Sequence, residues 1–319
     1  MKVAVVIPAY RVKRHVLDVI ARIGPEVERI LVVDDACPEQ SGDFVERNAT
    51  DPRVVVLRNK VNQGVGGAMM TGYQAALDLG IDIVVKIDGD GQMDPALLSE
   101  FIEPIASGEA DYTKGNRFHS LDEIRQMPGM RLFGNTVLSF MAKLSTGYWD
   151  IFDPTNGYTA IHCQVLRDIP FRKLSRRYFF ETDMLFHLGI LRAVVVDVPM
   201  HARYGDETSN LKVSKVLGEF VAKHVRNLCK RIFYNYYLRD LSIASIELPL
   251  GLLLVLGGTI FGVRAWSASA AAGIATPAGE VMLSALPILV GIQCLLAFIN
   301  FDIASMPRRP LSRRRGARA

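Results

Sequence analysis

The chain has 319 residues, of which 50% are hydrophobic, and its formal net charge is +4. This hydrophobic share is high for a purely soluble protein, so the composition directs attention to membrane segments. The basic blocks KHVRNLCKR and RRPLSRRRGARA each flank an apolar run, which argues against a soluble protein that binds nucleic acid.

The N-terminal part alternates short apolar strands with helices. VAVVIP, RILVVDD, RVVVLRN and IDIVVKID read as buried strands, and GGAMMTGYQAALDLG reads as a helix. Continuous apolar strands separated by helices predict a mostly parallel sheet that is covered on both faces. Ligands of such sheets bind at the carboxyl ends of the strands, where Pro8, Asp34, Asp35, Asp88 and Asp90 fall. The chain starts directly with a strand rather than a secretory signal, so we expect this part to lie in the cytosol.

From Tyr112 the pattern becomes mixed. DPTNGY indicates a turn in which Asp153 is a candidate site residue. FFETDMLFHL contains Glu181 and Asp183, which are either site residues or acids of a solvated first helical turn. AVVVDVP reads as a strand and HARYGDETSNLK as a polar loop, so we place the end of the α/β domain at residue 212.

A basic amphipathic helix is predicted in the region 213–243. Apolar residues recur at helical spacing from Val213 to Ile232, and lysines and arginines occupy the other positions. Such a helix either lies on an anionic membrane surface or packs on its own domain.

Two apolar stretches follow, at about 248–266 and 281–303, and each approaches the roughly 20 residues that cross a bilayer. The segment between them carries no base, whereas lysines and arginines precede the first stretch and follow the second. The positive-inside rule then predicts a two-helix transmembrane hairpin at 244–304, with the catalytic domain and the basic tail 305–319 in the cytoplasm. A buried soluble hairpin is the alternative. We expect Gln293, Asn300 and Asp302 to make polar contacts between helices or at the interface.

The motif DGDGQMDP follows the fourth predicted strand. The carboxylates of Asp88 and Asp90 and the amide of Gln92 are oxygen ligands that suit Mg²⁺ or Mn²⁺ bridging to phosphate. Gly89 and Gly91 let the backbone turn sharply and leave space for a ligand. The histidines lack paired ligand spacing, which argues against zinc. NQGVGGA lacks the Gly-Lys-Ser/Thr of a triphosphatase loop, and a tight turn explains its glycines equally well.

Six motifs occur in the order seen in family 2 glycosyltransferases of the GT-A fold: VVIPAY, LVVDDA, NQGVGGA, KIDGDGQMDP, KGNRF and ETD. With the C-terminal hairpin, the chain most resembles the branch of the dolichol-phosphate mannose synthases and the bacterial polyprenyl-phosphate glycosyltransferases. The resemblance implies a GT-A domain, which is Rossmann-like with a mostly parallel sheet, over residues 1–212. It also implies inverting transfer of a sugar from a nucleotide-diphosphate sugar to a dolichyl or undecaprenyl phosphate at the cytoplasmic membrane face.

The resemblance further assigns roles to individual residues. The catalytic residues it implies are Asp88, Asp90 and Asp183. The residues it implies for the donor nucleotide are Pro8, Tyr10, Asp35, Asp88, Gly89, Asp90, Arg203 and Lys212. Those for the metal are Asp88, Asp90 and Gln92, and those for the acceptor phosphate are Arg117, Arg131 and Asn135. Arg131 is alternatively an ordinary residue of a helix face.

The acceptor decides what Asp183 does. A polyprenyl phosphate is largely ionised at neutral pH and needs no strong base, so Asp183 would orient it. A lipid or glycan hydroxyl needs a base, and Asp183 is the first candidate. The hairpin favours the phosphate, because a lipid acceptor is met at the bilayer surface. A non-catalytic sugar-nucleotide-binding scaffold is a further alternative, against which the acidic pair argues. The sugar, the nucleobase, the polyprenol and any homo-oligomer formed through the transmembrane helices stay open.

Overall fold

The computed structural model of the chain describes residues 1–119, 129–200 and 213–316, apart from the side chains of residues 130, 131, 213–217 and 314–316. The chain divides into two compact units. The first comprises Met1–Leu228 and the chain from Pro307 onward, and the second comprises Cys229–Met306.

A seven-stranded sheet forms the centre of the first unit, in the order β3-β2-β1-β4-β6-β5-β7. The strands are β1 (Val3–Ala9), β2 (Arg29–Asp34), β3 (Val54–Arg58), β4 (Ile83–Lys86), β5 (Tyr112–Asn116), β6 (Thr159–His162) and β7 (Val195–Pro199). Every neighbouring pair is parallel except the two pairs that include β6. The predicted mostly parallel sheet is therefore confirmed. The third predicted strand is only partly buried because β3 lies at the sheet edge.

Helices and their apolar residues form two cores, one on each side of the sheet. The helices of this unit are α1 (Val16–Ala21), α2 (Ser41–Asn48), α3 (Gly64–Asp78), α4 (Leu98–Ala106), α5 (Gly129–Thr146), α6 (Cys163–Leu166) and α7 (Phe180–Leu191). Tyr73 of α3 and Met184 of α7 belong to one core, and Val19 of α1 and Phe101 of α4 belong to the other. This arrangement leaves the carboxyl ends of the strands as the edge at which polar side chains collect.

The next helix, α8 (Val213–Phe233), packs on the first unit through polar side chains. His224 and Asn227 are buried, whereas Val221 is 39% and Val225 is 52% exposed. His224 Nδ1 lies 2.8 Å from Ser145 Oγ, and Asn227 Nδ2 donates to Asp183 of α7 at 3.1 Å. Packing on its own domain, the second sequence alternative, is thus observed. The exposed valines leave the membrane-surface role as a prediction.

Two long apolar helices make up most of the second unit, namely α9 (Ala244–Ala271) and α10 (Ala278–Ala304). Both are long and apolar enough to be candidate membrane spans, and they contain the two predicted stretches. They approach closely where residues are small: a Cβ on Gly251 would lie 2.9 Å from the carbonyl oxygen of Gly291. Small residues at such crossings are typical of membrane helix pairs.

Asp302 of α10 makes the kind of polar contact that the sequence predicts. Its carboxylate accepts from Arg231 Nη1 at 2.6 Å and from Arg231 Nη2 at 3.0 Å. Tyr236 Oη donates to the same carboxylate at 2.5 Å. All three residues are buried, so the ion pair is both paired and hydrogen-bonded, which is what a buried charge requires.

The C-terminal segment is an element of the first unit. Asp111 is fully buried, and its carboxylate accepts the backbone N–H groups of Val194, Leu311 and Ser312, each at 2.9 Å. These bonds hold the start of α11 (Leu311–Gly316), and Leu311 also packs against the core. The region 305–319, predicted as a basic tail, thus contains a docked turn of helix, because a distant buried acid binds its backbone.

Candidate active site

Four chain segments meet at the carboxyl edge of the sheet. Asp34 and Asp35 end β2, Asp88 follows β4, and Arg117 follows β5. Because β6 is antiparallel, the loop that precedes it, which contains Gly157, lies at the same edge. The topology therefore brings the predicted acids and an arginine together with a loop that the sequence indicates only as a turn.

A buried lysine lies directly behind the acidic motif. Lys86 Nζ is 2.9 Å from Asp88 Oδ1 and 3.3 Å from Glu181 Oε1, and it donates to the carbonyl of Gly157 at 3.2 Å. Burial favours a low pKa for Lys86, but Asp88 and Glu181 together outweigh burial and raise its pKa. The chain thus supplies a cation for the acids at this strand end.

Lys86 is not a predicted site residue, and the sequence offers Glu181 only as one of two alternatives. The signal for Lys86 is a charged residue inside the apolar run VVKID, which is costly unless it has a partner. The interpretation of Glu181 and Asp183 as acids of a solvated helical turn is wrong, because they are only 8% and 7% exposed. Their partners come from distant parts of the chain.

The acidic turn itself is compact and reachable. Asp90 Oδ1 accepts the backbone N–H of Gln92 at 3.0 Å, and Gly91 has a φ of +80°, a conformation that favours glycine. The Asp88 side chain is 30% exposed, and Asp90 and Gln92 are partly buried. The buried Gly89 leaves little room for a larger residue, since an added Cβ would lie 3.2 Å from the side chains of Ile7 and Val12.

These donors fit a hard divalent cation. Among the described residues no three His, Cys, Asp or Glu side chains form a group that could hold a metal alone. Mg²⁺ commonly binds through one or two carboxylates and completes its shell with water and substrate phosphate oxygens. The half-exposed carboxylates of Asp88 and Asp90, with the Gln92 amide beside them, provide a donor set of that kind.

The loop DPTNGY holds two further cations of this edge, Arg117 and Lys114. Buried Asp153 accepts from Arg117 Nε at 2.7 Å and from Arg117 Nη2 at 2.9 Å. Lys114 of β5 donates to the carbonyl of Asn156 at 2.5 Å, and its burial lowers its pKa to about 8. The predicted turn is thus a buried anchor. The guanidinium of Arg117 lies at the site edge and is 26% exposed, so its role toward an acceptor phosphate stays a prediction.

Asp35 fixes the glycine-rich start of α3. Its carboxylate accepts from Asn59 Nδ2 at 2.8 Å and from the backbone N–H groups of Gln63 at 2.9 Å and Gly64 at 2.7 Å. Gly64 has a φ of +81°, and a Cβ there would lie 2.6 Å from the carbonyl oxygen of Arg176. The interpretation of these glycines as a tight turn is confirmed. A contact of Asp35 with a nucleoside stays a prediction.

Asp183 has both carboxylate oxygens engaged. Oδ2 accepts the backbone N–H of Ser175 at 2.8 Å, and Oδ1 accepts from Asn227 Nδ2 of α8 at 3.1 Å. These two contacts fix the rotamer of Asp183 in the first turn of α7. Such an arrangement suits an orienting residue better than a freely accessible base.

The remaining predicted residues are distributed around this edge and beyond it. At the end of β1, Pro8 is partly buried and Tyr10 is 42% exposed, with the Arg11 guanidinium 5.5 Å from the Tyr10 ring centroid. Arg131 and Asn135 lie on α5, where Asn135 is partly buried and the side chain of Arg131 is outside the described part. Arg203 and Lys212 lie outside the described residues.

Comparison with known proteins shows which family the chain matches. The profile of the family described as "Glycosyl transferase family 2" matches residues 4–170. The undecaprenyl-phosphate mannosyltransferase of Micrococcus luteus is 30% identical over 72% of this chain and 93% of its own length. The UDP-N-acetylglucosamine–dolichyl-phosphate N-acetylglucosaminyltransferase of Methanococcus voltae is 28% identical over 62% of this chain and 84% of its own length.

A solved structure confirms the fold class. Glucosyl-3-phosphoglycerate synthase from Mycobacterium tuberculosis, in complex with Mn²⁺, UDP and glucosyl-3-phosphoglycerate, superposes with a TM-score of 0.53 and 18% identity. The match covers 72% of this chain and 79% of that chain. The predicted GT-A type of α/β domain is therefore confirmed.

Proposed function

The chain belongs to glycosyl transferase family 2 and is a glycosyltransferase, and on this premise we propose that it transfers a sugar from a nucleotide-diphosphate sugar to a polyprenyl phosphate. The proposal places the reaction at the cytoplasmic face of a membrane. Two relatives are named for transfer to undecaprenyl phosphate and to dolichyl phosphate. The two names differ in the sugar that is transferred. They therefore support a polyprenyl phosphate as the class of acceptor, but they do not indicate a particular donor.

The observation that carries the proposal is an exposed apolar stripe on the helix with the predicted acceptor residues. On α5, Phe133 is 68%, Val137 is 42% and Phe140 is 54% exposed. Their spacing places them on one face of α5, and the positions of Arg131 and Asn135 fall on the opposite face of the same helix. A lipid phosphate combines an anionic head with an apolar chain, and α5 offers groups for both within a few turns.

The donor diphosphate is assigned to the acidic edge. Asp88, Asp90 and Gln92 would hold Mg²⁺ or Mn²⁺, which supplies positive charge to the diphosphate as the glycosidic bond to the donor breaks. The neighbour solved with Mn²⁺ and UDP, and the same enzyme solved with Mg²⁺ and UDP, support this choice of cations. Arg203 and Lys212 are proposed to neutralise the leaving nucleoside diphosphate, with Asp35, Pro8 and Tyr10 at the nucleoside.

The acceptor phosphate is assigned to Arg117, Arg131 and Asn135. Guanidinium groups hold phosphate oxygens in fixed geometry, so they can aim one oxygen at the anomeric carbon. Attack from the face opposite the leaving diphosphate gives inversion. An ionised phosphate needs no strong base, which agrees with an Asp183 whose oxygens are both engaged. Transfer to a hydroxyl would need Asp183 as a base. Because both of its oxygens are engaged, we rank this reaction second.

The membrane arrangement follows the distribution of charge. The two candidate spans are α9 and α10, and basic residues lie before the first and after the second. We propose that both chain ends lie in the cytoplasm, where nucleotide sugars are made available, and that the short connection between α9 and α10 lies on the other side.

The test is a panel of radiolabelled nucleotide sugars with the purified protein in lipid nanodiscs. One arm contains undecaprenyl phosphate and the matched arm contains undecaprenol, and each reaction is extracted into organic solvent. We expect label in the lipid phase only with the phosphate and with one class of donor. Label with the alcohol alone would select the hydroxyl alternative, and no lipid label with any donor would contradict the proposal.

A further inference from the structure

The ion pair of Lys86 with Asp88 has no part in the proposed transfer as described so far. We propose that Lys86 is a positioning residue, which fixes Oδ1 of Asp88 and so presents the rest of that carboxylate to the divalent cation and the diphosphate. The inference rests on the proposed function, because it takes Asp88 as a ligand in that site.

The surroundings of Lys86 direct it to Asp88 and not to a substrate. The side chain is 1% exposed, and three oxygen atoms surround its Nζ, from Asp88, Glu181 and Gly157. Nζ donates a hydrogen bond to the carbonyl of Gly157 and forms ion pairs with the carboxylates of Asp88 and Glu181, so the buried charge is held among these groups. Lys86 therefore cannot reach a phosphate while these contacts hold, and any effect on the reaction passes through Asp88.

The contact divides the Asp88 carboxylate into a held oxygen and an available one. Oδ1 is buried against Lys86, although the side chain as a whole is 30% exposed. Oδ2 is thus the oxygen left for a ligand. Gly157 leaves room for this arrangement, because a Cβ on Gly157 would lie 2.4 Å from Lys86 Nζ and 2.8 Å from Asp88 Oδ2. The absent side chain thus lets the lysine and the carboxylate lie side by side.

Stability gives no reason for a lysine at this position. Val84 and Val85 precede Lys86 in β4 and both are fully buried, so an apolar residue would suit the strand. Burying a charged amine is costly, and replacing buried ion pairs with apolar residues is often neutral or stabilising. A role in orienting Asp88 explains why the strand carries the charge where it reaches the site.

The change in Mn²⁺ affinity on removing Lys86 distinguishes a positioning role from a purely electrostatic effect of its charge. Lys86→Met keeps the approximate volume and removes one positive charge beside two carboxylates. Coulomb attraction alone would then make Mn²⁺ bind more tightly. If Lys86 positions Asp88, Mn²⁺ binds more weakly despite the added negative charge. Loss of a residue that orients a metal ligand typically costs about tenfold to a hundredfold in metal affinity.

The experiment is calorimetric titration of MnCl₂ into the full-length protein in detergent, with UDP in one series and GDP in another. The variants are Lys86→Met, the double variant Lys86→Met/Glu181→Gln, and Lys114→Met as a matched control. Lys114 is also fully buried and donates to the neighbouring carbonyl of Asn156, but no contact joins it to Asp88 among the described hydrogen bonds and ion pairs. The double variant removes the buried charges of both Lys86 and Glu181 and leaves neither without its partner. It therefore provides a second test if the single variant does not fold.

We expect Mn²⁺ to bind about tenfold or more weakly in Lys86→Met and in the double variant, and within about threefold of wild type in Lys114→Met. Tighter or unchanged binding in the Lys86 variants would overturn the inference. Equal loss in Lys114→Met would also overturn it, because the effect would then come from the loop. Failure of both Lys86 variants to fold would assign Lys86 to the fold. If the wild-type protein does not bind Mn²⁺ in the UDP series or in the GDP series, that result would contradict the proposed function itself.

Discussion

His224 makes the first unit sensitive to mildly acidic pH. This residue of α8 is 2% exposed, its Nδ1 lies 2.8 Å from Ser145 Oγ, and the Phe179 ring centroid is 5.0 Å from its own. Burial lowers the pKa of His224 from 6.5 to about 4. The imidazole is therefore neutral in the folded protein at pH values where the unfolded chain binds a proton.

The sign and size of the effect follow from this difference. Below the unfolded pKa of 6.5 the unfolded state binds more protons than the folded state, so the free energy of unfolding decreases as the pH falls towards about 4. The contribution at about pH 5 is a loss of about 2 kcal/mol relative to neutral pH. Burial raises the pKa of Asp197 to about 6, and this carboxyl acts in the opposite sense. Only a comparison of wild type with a variant therefore isolates His224.

The variant is His224→Gln, which keeps a polar group near Ser145 and removes the titration. Trp149 lies in the first unit and Trp266 in the second, and the chain has no other tryptophan. Fluorescence of Trp149 in a Trp266→Phe background thus reports denaturant unfolding of the first unit. We expect wild type to lose about 2 kcal/mol more than His224→Gln between neutral pH and about pH 5. Equal losses in the two proteins would refute the reasoning.

Three further changes test the site and the membrane arrangement. Asp90→Asn removes one charged ligand, so we expect transfer to fall by about a hundredfold or more, and full turnover in EDTA would contradict the metal assignment. Arg117→Ala should slow transfer by about a hundredfold with little change in nucleotide-sugar affinity, and lost donor affinity instead would move Arg117 to the donor site. In Ala275→Cys, at an exposed position between α9 and α10, a membrane-impermeant thiol reagent should label the cysteine from outside intact cells. Labelling only after permeabilisation would reverse the topology.

The sequence predicts the part of the fold that local pattern determines. β1, β2, β3, β4 and β7 are apolar runs in the sequence, and the acids that follow β2 and β4 lie at one sheet edge because these strands are parallel. β5 and β6 are not predicted, because YTKGN and TAIH are short and partly polar. Their central position in the sheet is determined by pairing with distant strands, which a local pattern does not contain.

In the site too, the residues of a short local motif can be predicted, and the residues that depend on distant partners cannot. Asp88 and Asp90 are recognisable because their ligand chemistry lies within one short motif. Lys86 is not predicted, and Glu181 and Asp153 are predicted only as one of two alternatives each, because the partners of both acids lie far away in sequence. A buried charge inside an apolar strand is the signal that could have identified Lys86, whereas nothing local distinguishes Glu181 from an ordinary acid at a helix start.

The central claim is that a sugar becomes bonded to the phosphate of a polyprenyl phosphate, and phosphorus NMR of the reaction tests it most directly. The purified protein is incubated in nanodiscs with undecaprenyl phosphate, Mg²⁺ and the donor selected from the panel, beside the Asp90→Asn variant. We predict that the phosphomonoester signal is replaced by a phosphodiester signal with wild type and persists with the variant. A monoester signal that stays unchanged while the nucleotide sugar is consumed would contradict the claim.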